Sequence, residues 1–512
     1  MSPQLPPLAA LAALVLASLV ASATPRPAAR QANETLGRGC AALVHAGLSP
    51  QLYFSADSGY VETLESYYDG AVQEVTPRCV FKPENTGQVA TALKALSAEG
   101  GSCWSVAIRS GGHSPVPNNN AQNGVTIDLG RLDSVTYREH EDAERGRGIA
   151  SIGSGARWGD VYTELEKQGV MVTGGREGHV GVGGFLLGGG FAWQSGKHGM
   201  ACDNVVSYEV VLANGTVVTA TSTNHHDLWR SLKGGLNNLG LVTRFDMRTF
   251  PSQDAYGGIT AFSYDQAEAV LERLDAMIRR NPENPAENGF VSLSWNPATG
   301  PSTAFVLANV DGVENSTSFV GVEDLNPIVD TRSHAPISSL VKQLEGGLGL
   351  YNVWFTLSFH SSMSMVRKVI EVFDSLVAEF ENTLGDGDRI IFVLTPLPTN
   401  YAGHGENILG INDAGYEPSM VLQAEALLTT PENKELLTEA LQRAVESTIF
   451  VWSANTHQRT RWKYLNYANP LQDVWWTIGE DRFLLNRTAQ AYDPTGFFQT
   501  RVSGGFKISQ SD

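Results

Sequence analysis

The 512-residue sequence is poor in cysteine and in basic residues, and each shortage argues against a class of protein. It has four cysteines, none in a Cys-x-x-Cys pair, which disfavours zinc sites and thioredoxin-like chemistry. Its 36 lysines and arginines are outnumbered by 54 acidic residues, giving a formal net charge of −18. No nucleic-acid partner is expected, because binding a phosphate backbone requires clustered basic residues.

Long apolar runs are also scarce. The run Leu8–Val20 is shorter than a membrane-spanning helix and is followed by the small residues Ala21-Ser22-Ala23. This pattern predicts a secretory signal peptide over residues 1–23. An uncleaved anchor is the alternative, because no Lys or Arg precedes the run. We therefore expect a protein that is secreted or in the secretory pathway, with no stable membrane association.

Two further features agree with export. Sequons of the form Asn-x-Thr are N-glycosylation acceptors in secreted proteins, and they occur here at Asn33, Asn214, Asn315 and Asn486. The cysteines permit three pairings, among which the sequence does not choose, and we expect at least one disulfide. They are Cys40, Cys79, Cys103 and Cys202.

Length and composition indicate a globular protein of two domains, since 42% of the residues are hydrophobic and no low-complexity linker interrupts the chain. Glycine-rich motifs end before Pro251 and amphipathic helices follow, which places a domain boundary there. The predicted division is a signal peptide (1–23), an irregular lead-in (24–73), a first domain (74–252), a second domain (253–452) and a C-terminal segment (453–512).

The first domain mixes strands and helices and is predicted to be α+β. Helical spacing of apolar residues predicts helices at Thr86–Ala98 and Trp158–Gln168. Asn214-Gly215, between two strand-like runs, predicts a β-hairpin. Further strands are predicted at Cys79–Pro83, Val106–Arg109 and Val125–Leu129.

The second domain is predicted to be an antiparallel sheet covered by helices on one face. Two amphipathic helices are indicated over 267–278 and 366–380. A third is expected after Thr430-Pro431, where Thr can cap a helix and Pro suits its first turn. Strands are predicted at Phe290–Trp295, Ala304–Val310, Trp354–Phe359 and Ile390–Leu394.

Two glycine-rich segments carry the clearest functional signal. One is Arg109-Ser110-Gly111-Gly112-His113, and the other spans residues 181–190. Glycine lets the backbone approach a ligand closely and present its N–H groups to a pyrophosphate. The second segment does not fit a Rossmann fingerprint, because Leu186 stands where the third glycine would fall. We interpret the ligand as a flavin dinucleotide.

The order of these motifs resembles the FAD-linked oxidases of the vanillyl-alcohol oxidase superfamily, which share a PCMH-type FAD-binding domain. Within them it is most similar to the fungal, oxygen-dependent, berberine-bridge-enzyme-like branch. The further matching motifs are Gly124–Leu129, Gly153–Gly159, Val180–Gly184, Gly188–Gly190, Asp203–Val205, Leu232–Gly235, Gly240–Phe245, Tyr464–Tyr467 and Tyr492–Pro494. The resemblance implies a two-domain α+β fold, FAD as cofactor, and a C-terminal segment that returns to the FAD domain.

The resemblance also implies which residues hold FAD. In the family a histidine at the position of His113 is bonded to the flavin ring methyl, so we expect His113 to carry covalent FAD. The other expected FAD contacts are Arg109, Ser110, Gly111, Gly112, Ser114, Gly175, Gly178, His179, Gly181, Gly183, Gly184, Gly188, Gly189, Gly190, Asp203, Asn204 and Val242.

One position departs from the pattern. Many members of this branch add a second flavin link through a cysteine just before the Gly-x-Gly-Gly motif, and here that position is Glu177. We therefore predict a single covalent bond. His179 is expected to pack against the flavin edge or hydrogen-bond to it. No metal site is expected, and His225-His226-Asp227 is interpreted as a surface loop.

The candidate catalytic residues are Tyr464, Asn466 and Tyr467. On a strand, Tyr464 and Asn466 would share one face and Tyr467 the other. Oxidising a C–H bond beside a hydroxyl requires a base, and a tyrosine can serve if a charge or hydrogen bond stabilises its phenolate. In similar enzymes a tyrosine of this motif has that role, and we favour Tyr467 over Tyr464. Aromatic packing is the alternative, and the sequence identifies no activating partner.

The predicted function is that of a secreted FAD-dependent oxidoreductase. It would pass hydride from an alcohol or activated C–H bond of a small secondary metabolite to covalent flavin, which oxygen reoxidises with release of hydrogen peroxide. One alternative is an oligosaccharide oxidase acting at the anomeric carbon, which the missing second link disfavours. Another is a non-catalytic binding glycoprotein that retains the flavin fold. The sequence chooses neither the substrate nor the oligomeric state.

Overall fold

The computed structural model describes residues 36–99, 104–116, 118–139, 148–411, 417–502 and 504–508. The predicted signal peptide (1–23), the Asn33 sequon and Cys103 lie outside the described residues. Three β-sheets and the helices packed on them organise the described part. None of the helices in that part is long and apolar enough to cross a membrane.

The first sheet has the strand order β1-β2-β4-β3. Its strands are β1 (Leu52–Tyr53), β2 (Cys79–Phe81), β3 (Val106–Arg109) and β4 (Val125–Asp128). The central strand β4 is parallel to β2 and β3, and β1 is antiparallel to β2. The three strands predicted in this region are confirmed, and β3 feeds directly into the loop that carries His113.

The second sheet is antiparallel, with the order β5-β6-β10-β8-β9 and β7 paired to β10. Its strands are β5 (Val135–Glu139), β6 (Gly148–Gly153), β7 (Val170–Met171), β8 (Val205–Val211), β9 (Val217–Thr221) and β10 (Leu241–Pro251). Strands β8 and β9 form the predicted hairpin, in which Gly215 has a φ of +81°. The first two sheets together form the first domain.

The third sheet forms the second domain and is also antiparallel, in the order β14-β11-β13-β12-β17-β18-β16 with β15 on β11. The strands are β11 (Ala255–Ser263), β12 (Glu287–Asn296), β13 (Gly300–Asn309), β14 (Val329–Asp330), β15 (Ser333–Ala335), β16 (Tyr351–His360), β17 (Arg389–Leu397) and β18 (Ser419–Leu428). The four predicted strands correspond to β12, β13, β16 and β17, each of which is longer than its prediction.

Helices flank all three sheets. In chain order they are α1 (Arg38–His45), α2 (Ser58–Glu65), α3 (Gly70–Gln73), α4 (Thr86–Ala98), α5 (Trp158–Glu166), α6 (Val182–Leu187), α7 (Ser195–His198), α8 (His226–Ser231), α9 (Ala267–Arg280), α10 (Ile337–Gln343), α11 (Met363–Phe380), α12 (Lys434–Gln442), α13 (Phe450–Asn455), α14 (Asp481–Tyr492) and α15 (Phe497–Thr500). A π-helical turn at Arg443–Ile449 joins α12 to α13.

The long helices α9 and α11 cover one face of the third sheet. Leu274 of α9 and Phe373 of α11 are fully buried in one apolar cluster with Phe392 of β17. Burying an apolar helix stripe on a sheet face supplies most of the stability of such a layer. The opposite face of the sheet is left to line a cavity.

Two local predictions are wrong. The lead-in contains α1, α2, α3 and β1 rather than irregular chain, because the pairing of β1 with β2 fixes a segment whose own periodicity is weak. The third helix of the second domain exists, but it begins at Lys434 after Asn433, with no side-chain cap. Thr430 and Pro431 therefore lie before the helix and do not start it.

A disulfide joins Cys40 of α1 to Cys79 of β2, which confirms that at least one forms. Cys202 is buried and free. Of the sequons within the described residues, Asn214 and Asn315 are exposed and Asn486 is partly exposed on α14.

The C-terminal segment returns to the first domain. The backbone N–H of Val106 on β3 donates a 2.8 Å hydrogen bond to Arg501, and Val502 bridges to Val106 in parallel. Phe497 and Phe498 are buried in the apolar cluster beneath the first sheet. The predicted boundary at 452/453 falls inside α13.

Candidate active site

A cavity of about 1840 Å³ lies between the glycine-rich loops of the first domain and the free face of the third sheet. The loop after β3 lines one end through Ser110, Gly111 and His113. Alternate residues of the central strands, such as Ser292 and Ser294 of β12, line the other. A space of this size exceeds the roughly 300–1,000 Å³ of a typical small-molecule pocket, so it has room for a large cofactor together with a substrate.

The two glycine-rich segments touch through their backbones. A Cβ placed on Gly111 would lie 2.5 Å from the backbone nitrogen of Gly181, and one placed on Gly181 would lie 2.2 Å from that of Gly111. Ser110 fixes this approach, since its hydroxyl donates to the carbonyl of Ser154 at 2.6 Å and accepts from the N–H of Gly183 at 3.1 Å. Only glycine fits at both contacts.

Other predicted cofactor residues also lie on the cavity wall. They are Gly112, Ser114, Gly175, Gly183, Gly184 and Val242. Gly112 has a φ of +72° and its carbonyl accepts from the N–H of Tyr68 at 3.0 Å. A Cβ on Gly184 would meet no atom within 4 Å, so this residue faces open space.

His113 lies in the cavity wall at the end of the first loop. Its ring stacks on that of Tyr68, with centroids 4.1 Å apart, and its Nε2 is 3.6 Å from a carboxylate oxygen of Glu177. Burial, with a smaller contribution from the nearby positive charge of Arg157, lowers the pKa of His113 to about 3. The imidazole is therefore neutral at physiological pH, the form in which it is nucleophilic.

Glu177 stands between His113 and His179. Burial raises the pKa of Glu177 to about 7, although the N–H of Val180 donates to its carboxylate at 2.9 Å and opposes the rise. His179 lies off the cavity wall, 3.5 Å from Glu177 and 3.4 Å from Glu345. Glu177, where the sequence departs from the doubly linked pattern, thus places a carboxyl group 3.6 Å from the ring of His113.

Arg109 lies behind the loop and does not line the cavity. Its guanidinium is buried, donates to Asp128 at 2.9 Å and to the hydroxyl of Ser66 at 2.7 Å, and stacks on Tyr67. Although burial alone would raise the pKa of Asp128, Arg109 and hydrogen bonds from Thr63 and Gly130 hold it below its usual value. The structure therefore places Arg109 as a brace for the loop.

Several predicted cofactor glycines also lie off the cavity wall. Gly178 packs against Glu345, where a Cβ would come within 2.1 Å of a carboxylate oxygen. Gly189 and Gly190 have φ values of +106° and +90° and make a turn against Leu409 and Phe185, and Gly188 packs on Asn466. These glycines permit a tight turn after α6, at the base of the site.

Asp203 and Asn204 are buried away from the cavity wall. The Asp203 carboxylate accepts from the N–H of Met200 at 2.9 Å and from the amide of Asn407 at 2.7 Å. The Asn204 amide donates to the carbonyl of His198 at 2.9 Å. Both side chains order the loop that precedes β8.

The sequence predicts a strand for the tyrosine motif, and this prediction is wrong. The motif instead forms a 3₁₀ turn over Leu465–Tyr467. The N–H of Tyr467 donates to the carbonyl of Tyr464 at 3.0 Å, and the turn brings the two rings edge to face with centroids 4.7 Å apart. The assignment of opposite faces is therefore wrong: Tyr464, Asn466 and Tyr467 all line the cavity. Hydrogen bonds to Phe185 and Phe191, which are distant in the chain and which periodicity does not encode, hold the turn.

Tyr464 is held as a neutral phenol. Its oxygen accepts from the N–H of Phe191 at 3.1 Å and from the amide of Asn466 at 3.0 Å. Even so, burial raises the pKa of Tyr464 above its usual value. The Asn466 amide also donates to the carbonyl of Phe185 at 3.1 Å, which ties the turn to α6.

Tyr467 has a different partner. The buried guanidinium of Arg176 donates to its phenol oxygen at 3.0 Å and to the hydroxyl of Thr395 at 3.4 Å. Arg176 also lies over the ring of Phe290, 4.9 Å from the centroid, and lines the cavity. A guanidinium that donates to a phenol oxygen stabilises negative charge there. The sequence did not identify this partner, because Arg176 and Tyr467 are 291 residues apart in the chain.

Glu425 on β18 is a second residue that the sequence did not single out. Its side chain lines the cavity in the middle of the sheet, next to Trp354 of the neighbouring strand β16. Burial raises the pKa of Glu425 to about 8. At neutral pH it is a protonated acid that can donate a hydrogen bond into the cavity.

The described residues contain no group of three or more His, Cys, Asp or Glu side chains arranged to hold a metal ion. His226, at the start of α8, instead pairs with Glu406 at 2.9 Å.

A family model described as "FAD binding domain" matches residues 77–221, which include both glycine-rich segments. The FAD-dependent monooxygenase drtC of Aspergillus calidoustus is 33% identical over 97% of this chain and 96% of that protein. The chain belongs to the FAD-linked oxidoreductases. Its cofactor is FAD, and it is an enzyme.

Solved structures of oxidoreductases share this fold. A xylooligosaccharide oxidase from Myceliophthora thermophila superposes with a TM-score of 0.70 at 19% identity, covering 91% of this chain and 98% of that one. A variant of berberine bridge enzyme, described as a reticuline dehydrogenase, superposes with a TM-score of 0.70 at 16% identity, covering 92% and 98%. The two-domain α+β architecture is therefore that of this FAD-linked oxidoreductase family.

The residues of the cavity fit FAD. The contact between Gly111 and Gly181 leaves no side chain between the two loops, and Gly184 opens space beside them. A neutral imidazole at His113 and a tyrosine paired with arginine lie along the same cavity. The glycine loops and Val242 would hold the cofactor, in a cavity that His113 and Tyr467 also line.

Proposed function

We propose that the protein is a secreted oxidase that removes hydride from an alcohol or activated C–H bond of a small secondary metabolite. The pairing of Arg176 with Tyr467 at 3.0 Å carries the proposal, because it sets a cation against a phenol oxygen in the cavity that the glycine loops also line. Bound FAD supplies the hydride acceptor. Oxygen is proposed to return the enzyme to its oxidised state, with release of hydrogen peroxide.

The chain's own residues have separate tasks in this scheme. Tyr467 takes the proton from the substrate hydroxyl, and Arg176 stabilises the phenolate form that can do so. Tyr464 and Asn466 hold the turn through their mutual hydrogen bond of 3.0 Å. Glu425, protonated at neutral pH, donates a hydrogen bond to the substrate from the sheet, beside Trp354. The apolar rings of Phe290 and Trp354 exclude water from the space between them.

His113 is proposed to carry the flavin through one covalent bond. A low imidazole pKa and a position on the cavity wall support this, and Glu177 in place of cysteine supports a single link. Export is proposed from the signal-like N-terminal sequence, the sequons and the disulfide between Cys40 and Cys79, since disulfides persist in oxidising compartments. Glycosylation at the sequons is part of the same proposal.

A second candidate is oxidation of an oligosaccharide at its anomeric carbon. The structural likeness to a xylooligosaccharide oxidase favours it, as does a row of hydroxyl side chains on the cavity floor, Ser263, Ser294 and Ser302, on neighbouring strands. Against it, the neighbouring positions on the same floor, Ile391 and Val393, are aliphatic.

The relative drtC is named a monooxygenase, so the fate of oxygen must be measured as well. The test is anaerobic flavin reduction followed by aerobic peroxide measurement, with phenolic and polyketide alcohols against cello- and chito-oligosaccharides. Flavin bleaching by the alcohols, with one peroxide per product, is expected. Activity confined to sugars would replace the small-metabolite proposal, and labelled oxygen in the product would indicate oxygen insertion. A protein that binds FAD but is reduced by neither panel would support a binding role.

A further inference from the structure

A file of titratable side chains leads away from the attachment histidine. Nε2 of His113 is 3.6 Å from a carboxylate oxygen of Glu177, whose other oxygen is 3.5 Å from Nδ1 of His179. Nε2 of His179 is 3.4 Å from a carboxylate oxygen of Glu345. The side chains of His179 and Glu345 are 34% and 24% exposed, against 17% for His113, so the outer pair is more exposed to solvent than the histidine on the cavity wall.

The middle of the file contains two buried polar atoms without a hydrogen-bond partner. Oε1 of Glu177 and Nδ1 of His179 are both buried and have no hydrogen-bond partner, although they face each other. Oε2 of Glu177 accepts a hydrogen bond from the N–H of Val180 at 2.9 Å, and the backbone N–H groups of Gly346 and His179 also favour the carboxylate. Buried polar atoms left without partners are uncommon and mark functional positions. Two such atoms in mutual contact leave room for a transferable proton.

The surrounding backbone keeps the file together. Gly178 separates Glu177 from His179, and any Cβ there would collide with Glu345 at 2.1 Å. Arg157 holds the His113 loop by donating to the carbonyl of Gly111 at 3.1 Å. The four side chains therefore belong to loops that are fixed against one another.

The chemistry of flavin attachment requires a proton acceptor at this place. One C–N bond forms, between Nδ1 of His113 and the ring-methyl carbon of the flavin, and one methyl C–H bond and the imidazole N–H bond break. The electron pair of the C–H bond passes into the isoalloxazine and then to oxygen, which leaves as hydrogen peroxide with two protons. The imidazole proton must leave from Nε2, the nitrogen that faces Glu177.

We propose that Glu177 accepts the imidazole proton of His113 during flavin attachment and that His179 and Glu345 relay it to solvent. The carboxyl group that replaces the second attachment residue of doubly linked relatives thus promotes the single link. The inference rests on the proposed histidyl–flavin bond. Neutral His113 in a dry wall loses this proton slowly to water, so the attachment rate depends on the carboxylate.

The test follows acid-stable flavin with time after FAD is added to full-length protein produced under flavin depletion. Total bound flavin is measured in parallel, which separates binding from attachment. We expect Glu177→Gln to bind FAD as the native protein does, because Gln keeps the shape and can accept from Val180, and to attach it about 10²-fold more slowly. Glu406→Gln is the matched control, since it removes a His–Glu pair of 2.9 Å outside the file, and native rates are expected.

Attachment by Glu177→Gln within twofold of the native rate would overturn the relay while leaving the histidyl link intact. Absence of acid-stable flavin in the native protein would overturn both. If Glu177→Gln fails to bind FAD, Glu345→Gln and His179→Gln decide the question from the outer end of the file. Attachment slowed at least threefold in both supports the relay, and native rates in both overturn it.

Discussion

The guanidinium of Arg176 donates a 3.0 Å hydrogen bond to the phenol oxygen of Tyr467, a residue 291 positions later in the chain. Arg176 adjoins the glycine loop of the first domain, whereas Tyr467 belongs to the segment that returns from the second. The second tyrosine of the motif, Tyr464, has amide donors instead of a cation. The two phenols therefore differ in the donor that faces them, a guanidinium at Tyr467 and neutral amides at Tyr464.

Tyr467→Phe is expected to slow flavin reduction by substrate about 10²- to 10⁴-fold, because it removes the proposed base. Tyr464→Phe is the matched control. It deletes a hydroxyl that accepts from Phe191 and Asn466, so it should lower stability and slow reduction by less than tenfold. Anaerobic stopped-flow absorbance of the loaded enzyme measures both rates. Near-native reduction in Tyr467→Phe, with loss in Tyr464→Phe, would reverse the assignment.

Arg176→Met should act through Tyr467. Loss of a charge-assisted hydrogen bond of about 1.5–3 kcal/mol corresponds to a reduction rate about 10- to 150-fold slower. In the Tyr467→Phe background the same change should cost less than threefold, because its partner is already gone. Equal effects in both backgrounds, measured in a double-mutant cycle, would show that Arg176 acts on something other than Tyr467.

Alanine substitutions at two glycines of the cavity should have different effects, one on folding stability and the other on FAD binding. Gly111→Ala places a Cβ 2.5 Å from the backbone of Gly181, so the loops must separate and the protein should lose stability even before FAD is added. Gly184→Ala meets no protein atom within 4 Å and should leave thermal stability unchanged while weakening FAD binding. Thermal unfolding without FAD and titration with FAD distinguish the two. Unchanged FAD affinity in Gly184→Ala would move the cofactor away from this residue.

Arg109→Met tests the role of Arg109 as a brace. It leaves the buried carboxylate of Asp128 without its cation, which should reduce the free energy of unfolding by about 3–5 kcal/mol. The control is Arg131→Met, which breaks the exposed pair with Glu84 at 3.0 Å and should cost no more than about 1 kcal/mol. Denaturant unfolding measures both. A stable Arg109→Met protein that no longer binds FAD would instead place Arg109 at the cofactor.

Glu425 should make stability depend on pH. Its folded-state pKa of about 8 lies above the ordinary value of 4.5, so the unfolded chain releases the proton first as pH rises. The free energy of unfolding of the native protein should therefore fall between about pH 5 and pH 8. In Glu425→Gln this fall should be smaller by about 1–3 kcal/mol. Urea unfolding of the loaded enzyme at both pH values measures it. A difference between the two proteins that does not change with pH would contradict the assignment.

The sequence predicted the elements whose periodicity is strong. Helix α4 was placed at its observed ends, Thr86 and Ala98, because an apolar stripe and two glycines after it define both face and stop. The predicted strands of both domains are present because their apolar runs are bounded by turn residues. The 3₁₀ turn at Leu465–Tyr467 was missed, because its conformation depends on contacts with Phe185 and Phe191 far away in the chain.

The candidate site was predictable only in part. Motifs placed His113, Ser110 and the glycines of α6 on one cavity, since their spacing reflects a shared backbone requirement. Arg176 and Glu425 were invisible to that reasoning, because a charged residue gains its role from burial beside a partner, and burial is not written in local sequence. Asp203 and Asn204 show the opposite case. Their motif predicts contacts with FAD, but their side chains bond to Met200 and His198 and order a loop.

The returning segment affects how the protein is made. Asn466 and Phe506 line the same cavity as Ser110 and Gly111, so the flavin pocket cannot close until synthesis has passed Phe506. The third sheet comprises strands between Ala255 and Leu428 and has its own apolar cluster, so it can form on the nascent chain. At that stage the first domain still lacks Val502, which bridges to Val106 of β3. The cavity is therefore completed late in synthesis, and a chain that stops before the tyrosine turn would hold a finished third sheet beside glycine loops that still lack one wall of their cavity.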